Sequence, residues 1–340
     1  MVRAIGSIMS GVISLLAGLV LLIGGGELLV RGAVRVAARL GVSPLVIGLT
    51  LVGFGTSTPE LVTSVQASLA GSPGIAVGNI VGSNIANLLL IFGVSALLYP
   101  IAVQSHALRR DGGVMAAATL AFVVLTAFLP LNRMVGVIFV AALCAYIVWT
   151  IRSERVATTD HGAVLDRAEA TIELDPGLRP PTTVEPGLLS LLWPLALAIG
   201  GLALVVAGGG FLVDGAVTLA RGLGISEAVI GLTIVSVGTS TPELVTSVVA
   251  AYRRHSELAF GNVIGSNIYN ILGIGGATAL LAPTDVPREM VWFDNPVMML
   301  VTIAAVVFAA TGLRIGRREG SALLALYVAY VVALVMGVGR

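Results

Sequence analysis

The chain has 340 residues, of which 57% are hydrophobic and 11% charged, with a net charge of +1 and a mean hydropathy of +1.02. Soluble domains carry about 25% charged residues, so this composition excludes an ordinary soluble globular protein. Apolar runs of about 20 residues, each long enough to span a bilayer, follow one another along nearly the whole chain. The sequence therefore predicts an all-α polytopic membrane protein.

The first half of the chain, residues 1–151, predicts five membrane spans. The first span continues as a helix that carries Arg31, Arg35 and Arg39 on one face. Ser43 and Pro44 are suited to the cap and the first helical position of the second span. We expect the five spans at about 8–30, 44–69, 75–99, 114–129 and 134–151.

A polar stretch at 152–187 follows, with seven acidic residues, four arginines and several prolines. This composition favours a solvated linker with little packed structure, too short to fold as a separate domain. The second half, residues 188–340, repeats the plan of the first, and Ser226 is placed to cap its second span. We expect its spans at about 188–213, 227–252, 258–281, 295–313 and 322–338.

The two halves are related by an internal duplication with an offset of 183 positions. Of the 20 residues at 46–65, 17 equal their partners in the second half, and both copies contain Gly-Thr-Ser-Thr-Pro-Glu, at 55–60 and 238–243. Because five spans is an odd number, the halves must enter the membrane from opposite sides. The sequence thus predicts ten transmembrane helices arranged as two inverted five-helix repeats, a plan that many transporters use.

The arginines predict the orientation of this plan. With the N-terminus outside, fourteen arginines fall on cytoplasmic ends and loops and five on the outer side. This distribution satisfies the positive-inside rule. We therefore expect a multi-pass protein of the cell membrane, with both termini extracellular and 152–187 cytoplasmic.

The repeated motif interrupts the second span of each half. Pro59 and Pro242 cannot donate a helical hydrogen bond, and each proline ring pushes on the carbonyl four residues earlier. Broken backbone survives in a bilayer only where it lines a protein cavity. Glu60 and Glu243, the only carboxylates near the middle of any span, each cost roughly 2.5–3.5 kcal/mol on insertion. We expect the two glutamates to meet at the repeat interface, where a cation compensates their charge.

Further oxygen ligands surround these glutamates. Hydroxyl groups flank each proline, and the next span of each half carries two asparagines and a serine at i, i+4 and i+8, on one helix face. Carboxylate, amide, hydroxyl and carbonyl oxygens, without thiols or imidazoles, suit Ca²⁺ and Na⁺. The candidate groups are those of Thr56, Ser57, Asn79, Ser83 and Asn87 and of Thr239, Ser240, Asn262, Ser266 and Asn270.

The hydroxyl- and proline-containing interruption and the asparagines of the next span each have a simpler explanation when taken alone. Serine, threonine and proline in a membrane helix often form a satisfied kink, and asparagines often join helices. The recurrence of all these features twice, in the same spacing and with opposed topology, favours an ion site.

These stretches resemble the α-repeats of the calcium/cation antiporter superfamily, specifically the prokaryotic type of the sodium/calcium exchanger family. The resemblance rests on the Gly-Thr-Ser-Thr-Pro-Glu motif of each repeat and on Gly-Asn-x-x-Gly-Ser-Asn-Ile-x-Asn, at 78–87 and 261–270. It covers essentially the whole chain. Relatives commonly carry an aspartate in one repeat where this chain has Asn87 and Asn270.

The resemblance implies which residues hold the transported ions. It implies a Ca²⁺ site on Glu60 and Glu243 with the backbone carbonyls of Thr56 and Thr239. It also implies Na⁺ sites that share the glutamates and add Ser57, Ser83, Ser240 and Ser266, with Asn87 nearby and Asn270 as its partner. Ca²⁺, Na⁺ and the lipid bilayer are the expected partners, without nucleic acid, and we expect no cofactor and no enzymatic activity.

Three functional interpretations follow. The first is a secondary antiporter that exchanges Na⁺ for Ca²⁺ by alternating access and exports Ca²⁺, which the hydroxyl-rich break favours. The second is a Ca²⁺ antiporter coupled to H⁺ or another cation, because a membrane carboxylate can also carry a proton. The third is a channel or a structural membrane protein, although a single midplane site between inverted repeats suits alternating access.

Overall fold

The computed structural model describes residues 2–42, 47, 51–154, 163–179 and 188–339. The longer helices there are α1 Val2–Arg39, α2 Thr58–Leu69, α3 Pro73–Leu98, α4 Leu108–Phe128, α5 Arg133–Glu154, α6 Ala163–Leu174, α7 Leu188–Leu223, α8 Glu227–Thr239, α9 Thr241–Tyr252, α10 Glu257–Leu281, α11 Met290–Ala310 and α12 Arg317–Val335. Short helices lie at Gly53–Gly55, Ser105–Ala107 and Pro176–Leu178. Two short strands, β1 Ile101–Ala102 and β2 Arg314–Ile315, pair antiparallel.

The predicted polytopic helical membrane fold is confirmed, whereas its ten-span count stays a prediction. In the part of the chain that the structure describes, eight helices are long and apolar enough to cross a membrane. These are α1, α3, α4, α5, α7, α10, α11 and α12, and the pair α8 and α9, bent by 50°, would make a ninth. The predicted second span at 44–69 falls partly outside the described residues, as do Ser43 and Pro44.

Helices α3 and α10 form the centre of the bundle. The most apolar windows of these two helices are 83% and 89% buried, compared with 28–39% in the other six spans. Glycines let α3 approach α8 closely, because a Cβ on Gly82 would lie 2.6 Å from the carbonyl oxygen of Leu232. Small residues at such contacts are typical of helix packing in membranes, where van der Waals contact replaces the hydrophobic effect. The central helices therefore carry protein contacts on nearly all sides.

A seam of glycines joins α1 to α7, and the two helices run antiparallel along it. In each helix the seam positions are seven residues apart, and a Cβ on Gly18 would lie only 2.5 Å from the Leu212 nitrogen. The two backbones thus touch almost directly. The facing pairs are Gly11 with Gly215, Gly18 with Gly208, Gly25 with Gly201 and Gly32 with Pro194.

We expect a side chain in this seam to destabilise the protein. Gly18→Val should reduce the free energy of unfolding by about 1–3 kcal/mol, since the added methyl groups must displace the Gly208 and Leu212 backbone. Gly24→Val is the matched control, because a Cβ at Gly24 meets no atom within 4 Å. Thermal unfolding of the detergent-solubilised variants tests this expectation. Equal melting temperatures for both valine variants would contradict the close packing of α1 on α7 at Gly18.

The interpretation of 152–187 as a solvated stretch with little packed structure is wrong for residues 163–179. Helix α6 occupies part of it, with Ala163, Ala168 and Ala170 buried against the membrane helices. The buried carboxylate of Asp111 accepts a hydrogen bond from the backbone N–H of Ala163 at 2.7 Å. Asp111 thereby satisfies an N–H group at the start of α6 that has no partner within the helix. Polar composition concealed a helix with an apolar face.

Candidate ion site

The two interrupted spans break where the repeated motif predicts. Ser57 and Ser240 precede α2 and α9, with φ/ψ of −89°/8° and −81°/10° instead of regular helical values. Glu60 and Glu243 lie in the first turns of the new helices, and both are buried. A helix N-terminus carries partial positive charge, which favours a carboxylate there. The predicted cap of Ser226 is also present, since its hydroxyl accepts a hydrogen bond from the N–H of Val229 at 3.3 Å.

The two breaks face each other across the repeats. The hydroxyl of Ser57 donates to Oε1 of Glu243 at 3.1 Å, and the hydroxyl of Ser240 donates to Oε1 of Glu60 at 3.0 Å. In the described part of the chain, the second oxygen of each carboxylate has no hydrogen-bond partner. The structure thus brings together the glutamates and serines from both halves, as expected, and each glutamate keeps one oxygen for a ligand.

Asparagines of the central helices brace the broken backbone. Asn79 on α3 donates to the backbone carbonyl of Glu60 at 3.0 Å, and Asn262 on α10 donates to that of Glu243 at 3.1 Å. Each amide also donates to a serine hydroxyl on the same half-helix, at 2.9 and 2.7 Å. These bonds hold the first turn of each half-helix against a central helix.

The other predicted ligands are buried along the same two central helices, but no hydrogen bond connects them with the glutamates in the described residues. Asn87 and Asn270 lie in π-helical stretches, at Asn87–Ile91 and Tyr269–Gly275. Such widened turns are frequent at functional sites. Leaving a buried polar atom unpaired costs about 1–3 kcal/mol, so these oxygens are available for a cation. The unpaired atoms are Oγ of Ser83 and Ser266, both amide atoms of Asn87 and Oδ1 of Asn270.

The chemistry of this donor set matches a hard cation. The donors are hydroxyl, amide and carboxylate oxygens, the ligands that Ca²⁺ and Na⁺ prefer. Within the residues that the structure covers, no cluster of three or more histidine, cysteine, aspartate or glutamate side chains is arranged to hold a metal, so the acidic ligands here are the two glutamates alone. The site therefore offers two carboxylates, one from each half, to a divalent ion.

Arg167 of α6 reaches into this site, a position that was not predicted from the sequence. Its Nη2 donates to the hydroxyls of Thr56 at 2.7 Å and Ser57 at 2.6 Å, and to Oε1 of Glu243 at 3.3 Å. The guanidinium also stacks on the ring of Tyr269, 4.9 Å from its centroid, within cation–π range. Arg167 is fully buried, so its prediction as one of the fourteen arginines of cytoplasmic ends and loops is wrong.

Arg167 removes the symmetry of the site. In one half, the Thr239 hydroxyl donates to Oδ1 of Asn79 at 2.9 Å. In the other half, the Thr56 hydroxyl accepts from Arg167, and Oδ1 of Asn262 has no partner among the described residues. One arginine thus replaces the threonine–asparagine contact on the Glu243 side.

A signal for this arrangement was present in the sequence. Residues 163–174 contain no proline, whereas four prolines follow between 176 and 186. Apolar residues recur there at i, i+3 and i+7, at Leu165, Ala168 and Ile172, which predicts an amphipathic helix. The depth at which the helix docks was not predictable, because it depends on distant residues.

A cavity of about 420 Å³ adjoins the site. Its walls come from α1, from both interruptions and from the segment around α6, and they include Gly55, Thr56, Pro242 and Thr171. The cavity therefore leads along α6 to one of the predicted ligand residues.

Known proteins are similar to this chain in sequence and in fold. The chain matches the family model for sodium/calcium exchanger proteins over residues 10–152 and 193–336. It is 37% identical over 328 residues to sodium/calcium exchanger MaX1 of Methanosarcina acetivorans, covering 90% of this chain and 93% of that protein. It is 34% identical over 264 residues to inner membrane protein YrbG of Escherichia coli, covering 77% of each. The solved structure of the sodium-calcium exchanger NCX_Mj aligns with a TM-score of 0.58 at 32% identity, over 96% of this chain and 98% of that one.

Proposed function

Because the chain belongs to the sodium/calcium exchanger family of antiporters, we propose that it exchanges Na⁺ for Ca²⁺ across the membrane by alternating access and exports Ca²⁺. The observation that carries this proposal is the pair of buried glutamates, each hydrogen-bonded to a serine of the opposite half. Two carboxylates neutralise one Ca²⁺. The same oxygens, with the neighbouring hydroxyls, also suit Na⁺, so that the two ions compete for one site.

The residues that we assign to the ions are those predicted from the sequence. Glu60 and Glu243, with the backbone carbonyls of Thr56 and Thr239, would hold Ca²⁺. The hydroxyls and amides of Ser57, Ser83, Asn87, Ser240, Ser266 and Asn270 would complete the Na⁺ sites. Their burial and the unpaired oxygens among them support this assignment.

The second candidate is coupling to H⁺. Each glutamate has a buried oxygen without a hydrogen-bond partner in the described part of the structure, and that oxygen could take up a proton. Proton exchange would need only the two carboxylates, whereas Na⁺ exchange would also use the surrounding hydroxyls.

Ion flux into vesicles separates these candidates. Vesicles loaded with Na⁺ and diluted into Na⁺-free medium should accumulate radioactive Ca²⁺, whereas vesicles loaded with choline should not. Accumulation driven by a pH gradient in the absence of Na⁺ would favour H⁺ coupling. Entry of Ca²⁺ without any counter-ion gradient would indicate a channel and refute antiport.

For the orientation, we propose extracellular termini and a cytoplasmic linker in the cell membrane. The excess of arginines on the side of 152–187 supports this orientation under the positive-inside rule. Arg167 is buried in the site and is therefore not counted as a loop arginine. The remaining thirteen arginines on the cytoplasmic side, against five on the outer side, still favour this orientation.

A further inference from the structure

Arg167 occupies the Glu243 side of the ion site with a permanent positive charge. Arginine stays protonated in proteins, so the guanidinium cannot become neutral when another cation arrives. It engages three predicted ligand residues at once, Thr56, Ser57 and Glu243. With the arginine in place, the two carboxylates and one guanidinium sum to a charge of −1, and a Ca²⁺ ion would be left undercompensated in a buried site.

The surroundings of Arg167 are built from positions where the two repeats differ. Tyr269, on which the guanidinium stacks, corresponds to an alanine in the first repeat, and Phe54 corresponds to a valine in the second. Phe54 packs edge-to-face on Tyr269, with ring centroids 4.3 Å apart. Gly273, which replaces a leucine of the first repeat, makes room for this pair, since a Cβ there would lie 3.2 Å from the Phe54 ring. The departures from the duplication thus form a cradle for one arginine.

Helix α6 packs on the face of α10 that is equivalent to the face of α3 on which α8 packs. Gly78 and Gly82 of α3 face Gly231 and Leu232 of α8. Their partners in the second repeat, Gly261 and Gly265 of α10, face Asp166 and Arg167 of α6 instead. Gly261 and Gly265 thus form a groove on α10 that α6 fills.

Contacts outside the site hold α6 in this groove. Asp175, just after the helix, accepts from Nε of Arg31 on α1 at 3.0 Å. Glu173 contacts the His255 ring at 2.8 Å and accepts, through its backbone carbonyl, a hydrogen bond from Arg253 at 3.2 Å. These partners are partly exposed, so that each contact contributes little and can be exchanged for water. The deep contacts are those of Arg167 and of the Ala163 N–H with the buried carboxylate of Asp111.

We propose that Arg167 is a tethered competitor of the transported cation and that α6 is an autoinhibitory helix, which must withdraw before a divalent ion binds at Glu243. This inference rests on the proposed function, because it takes Ca²⁺ as the ion. The family model does not cover 153–192, so membership of the family assigns no role to α6. A competing group of the same chain lowers the apparent affinity for Ca²⁺, because only the molecules whose site the group has left can bind the ion.

Removal of the guanidinium charge tests the competition directly. Arg167→Gln should lower the apparent Kd for Ca²⁺ of the detergent-solubilised full chain about tenfold or more. Arg179→Gln, a change of the exposed arginine in the same linker, should leave the Kd unchanged. An unchanged or weaker Ca²⁺ affinity in Arg167→Gln would overturn the competition and make Arg167 a structural or supporting residue of the site.

Cysteine labelling tests the withdrawal of α6 with Arg167 intact. In a Cys144→Ala background, Ala168→Cys lies on the buried face of α6 and should react slowly with a charged thiol reagent. Saturating Ca²⁺ should accelerate this reaction about tenfold or more, while the exposed Glu169→Cys should react at one rate with and without Ca²⁺. Equal rates for Ala168→Cys under both conditions would overturn the withdrawal.

Failure of the autoinhibition and failure of the proposed function give different experimental results. If the unaltered chain binds Ca²⁺ and transports it against Na⁺, while Arg167→Gln and Ala168→Cys respond as their controls do, the autoinhibition is refuted and the proposed function stands. If neither the unaltered chain nor Arg167→Gln binds Ca²⁺, the proposed function fails. Transport that appears only in Arg167→Gln would support both.

Discussion

Glu60→Gln and Glu243→Gln should each abolish Ca²⁺ transport in a folded protein. Removing one partner of a buried charge cluster costs about 3–5 kcal/mol, which corresponds to a loss of about 10²- to 4 × 10³-fold in ion affinity. The amide keeps the size of the side chain and can still accept the hydrogen bonds that Ser57 and Ser240 donate across the repeats. The loss should therefore reflect charge.

Uptake of radioactive Ca²⁺ into Na⁺-loaded vesicles measures this effect. Glu227→Gln, the same change at the start of the broken span that carries Glu243, is the matched control and should transport normally. Normal uptake by either site variant would refute the two-carboxylate site. Because Glu243 also binds Arg167, Glu243→Gln should in addition release α6 and accelerate labelling of Ala168→Cys without Ca²⁺.

Transport should also respond strongly to voltage. Two carboxylates leave a bound Ca²⁺ neutral overall, whereas three Na⁺ ions on the same carboxylates leave one positive charge. An exchange of three Na⁺ for one Ca²⁺ therefore moves one net charge, worth about 2.3 kcal/mol per 100 mV. That energy corresponds to a change of about 50-fold in the Ca²⁺ ratio at equilibrium.

The direction of this effect follows from the direction of charge movement. In Na⁺-loaded vesicles, each Ca²⁺ that enters is accompanied by the exit of one net positive charge, so an inside-positive potential should increase uptake. A K⁺ gradient with valinomycin sets the potential, and vesicles with equal K⁺ on both sides are the control. Exchange that ignores the clamped potential would favour a cycle of two Na⁺ for one Ca²⁺.

The repeated motif made the centre of the molecule predictable. Pro59 and Pro242 indicate where the spans break, and the duplication indicates that each glutamate has a counterpart in the other half. These features are local or repeated, so one sequence suffices to identify them. The hydrogen bonds between Ser57 and Glu243 and between Ser240 and Glu60 follow the expected meeting of the halves, without having been predicted individually.

The position of α6 could not be derived in the same way. A polar stretch of about 35 residues is by composition most simply a linker. The burial of Arg167 depends on Glu243 and Tyr269, which are 76 and 102 residues away, and no local pattern connects them. Phe54 was a visible exception to the duplication, but its meaning required the ring that it contacts and the arginine stacked on that ring.

The glycine seam between α1 and α7 has a consequence for how the bundle assembles. Its period of seven in both helices permits a second alignment, shifted by one heptad or about 10.5 Å, which also pairs glycine with glycine. In that alignment the pairs are Gly11 with Gly222, Gly18 with Gly215, Gly25 with Gly208 and Gly32 with Gly201.

The seam thus fixes the distance between the two helices but not their register. The native register must come from contacts that do not repeat every seven residues. Ser14 of α1 donates to the carbonyl of Phe211 at 2.7 Å, and Gln66 of α2 donates to that of Val206 at 2.7 Å. A pair of isolated α1 and α7 helices would distribute among more than one alignment, and the remaining bundle selects one of them.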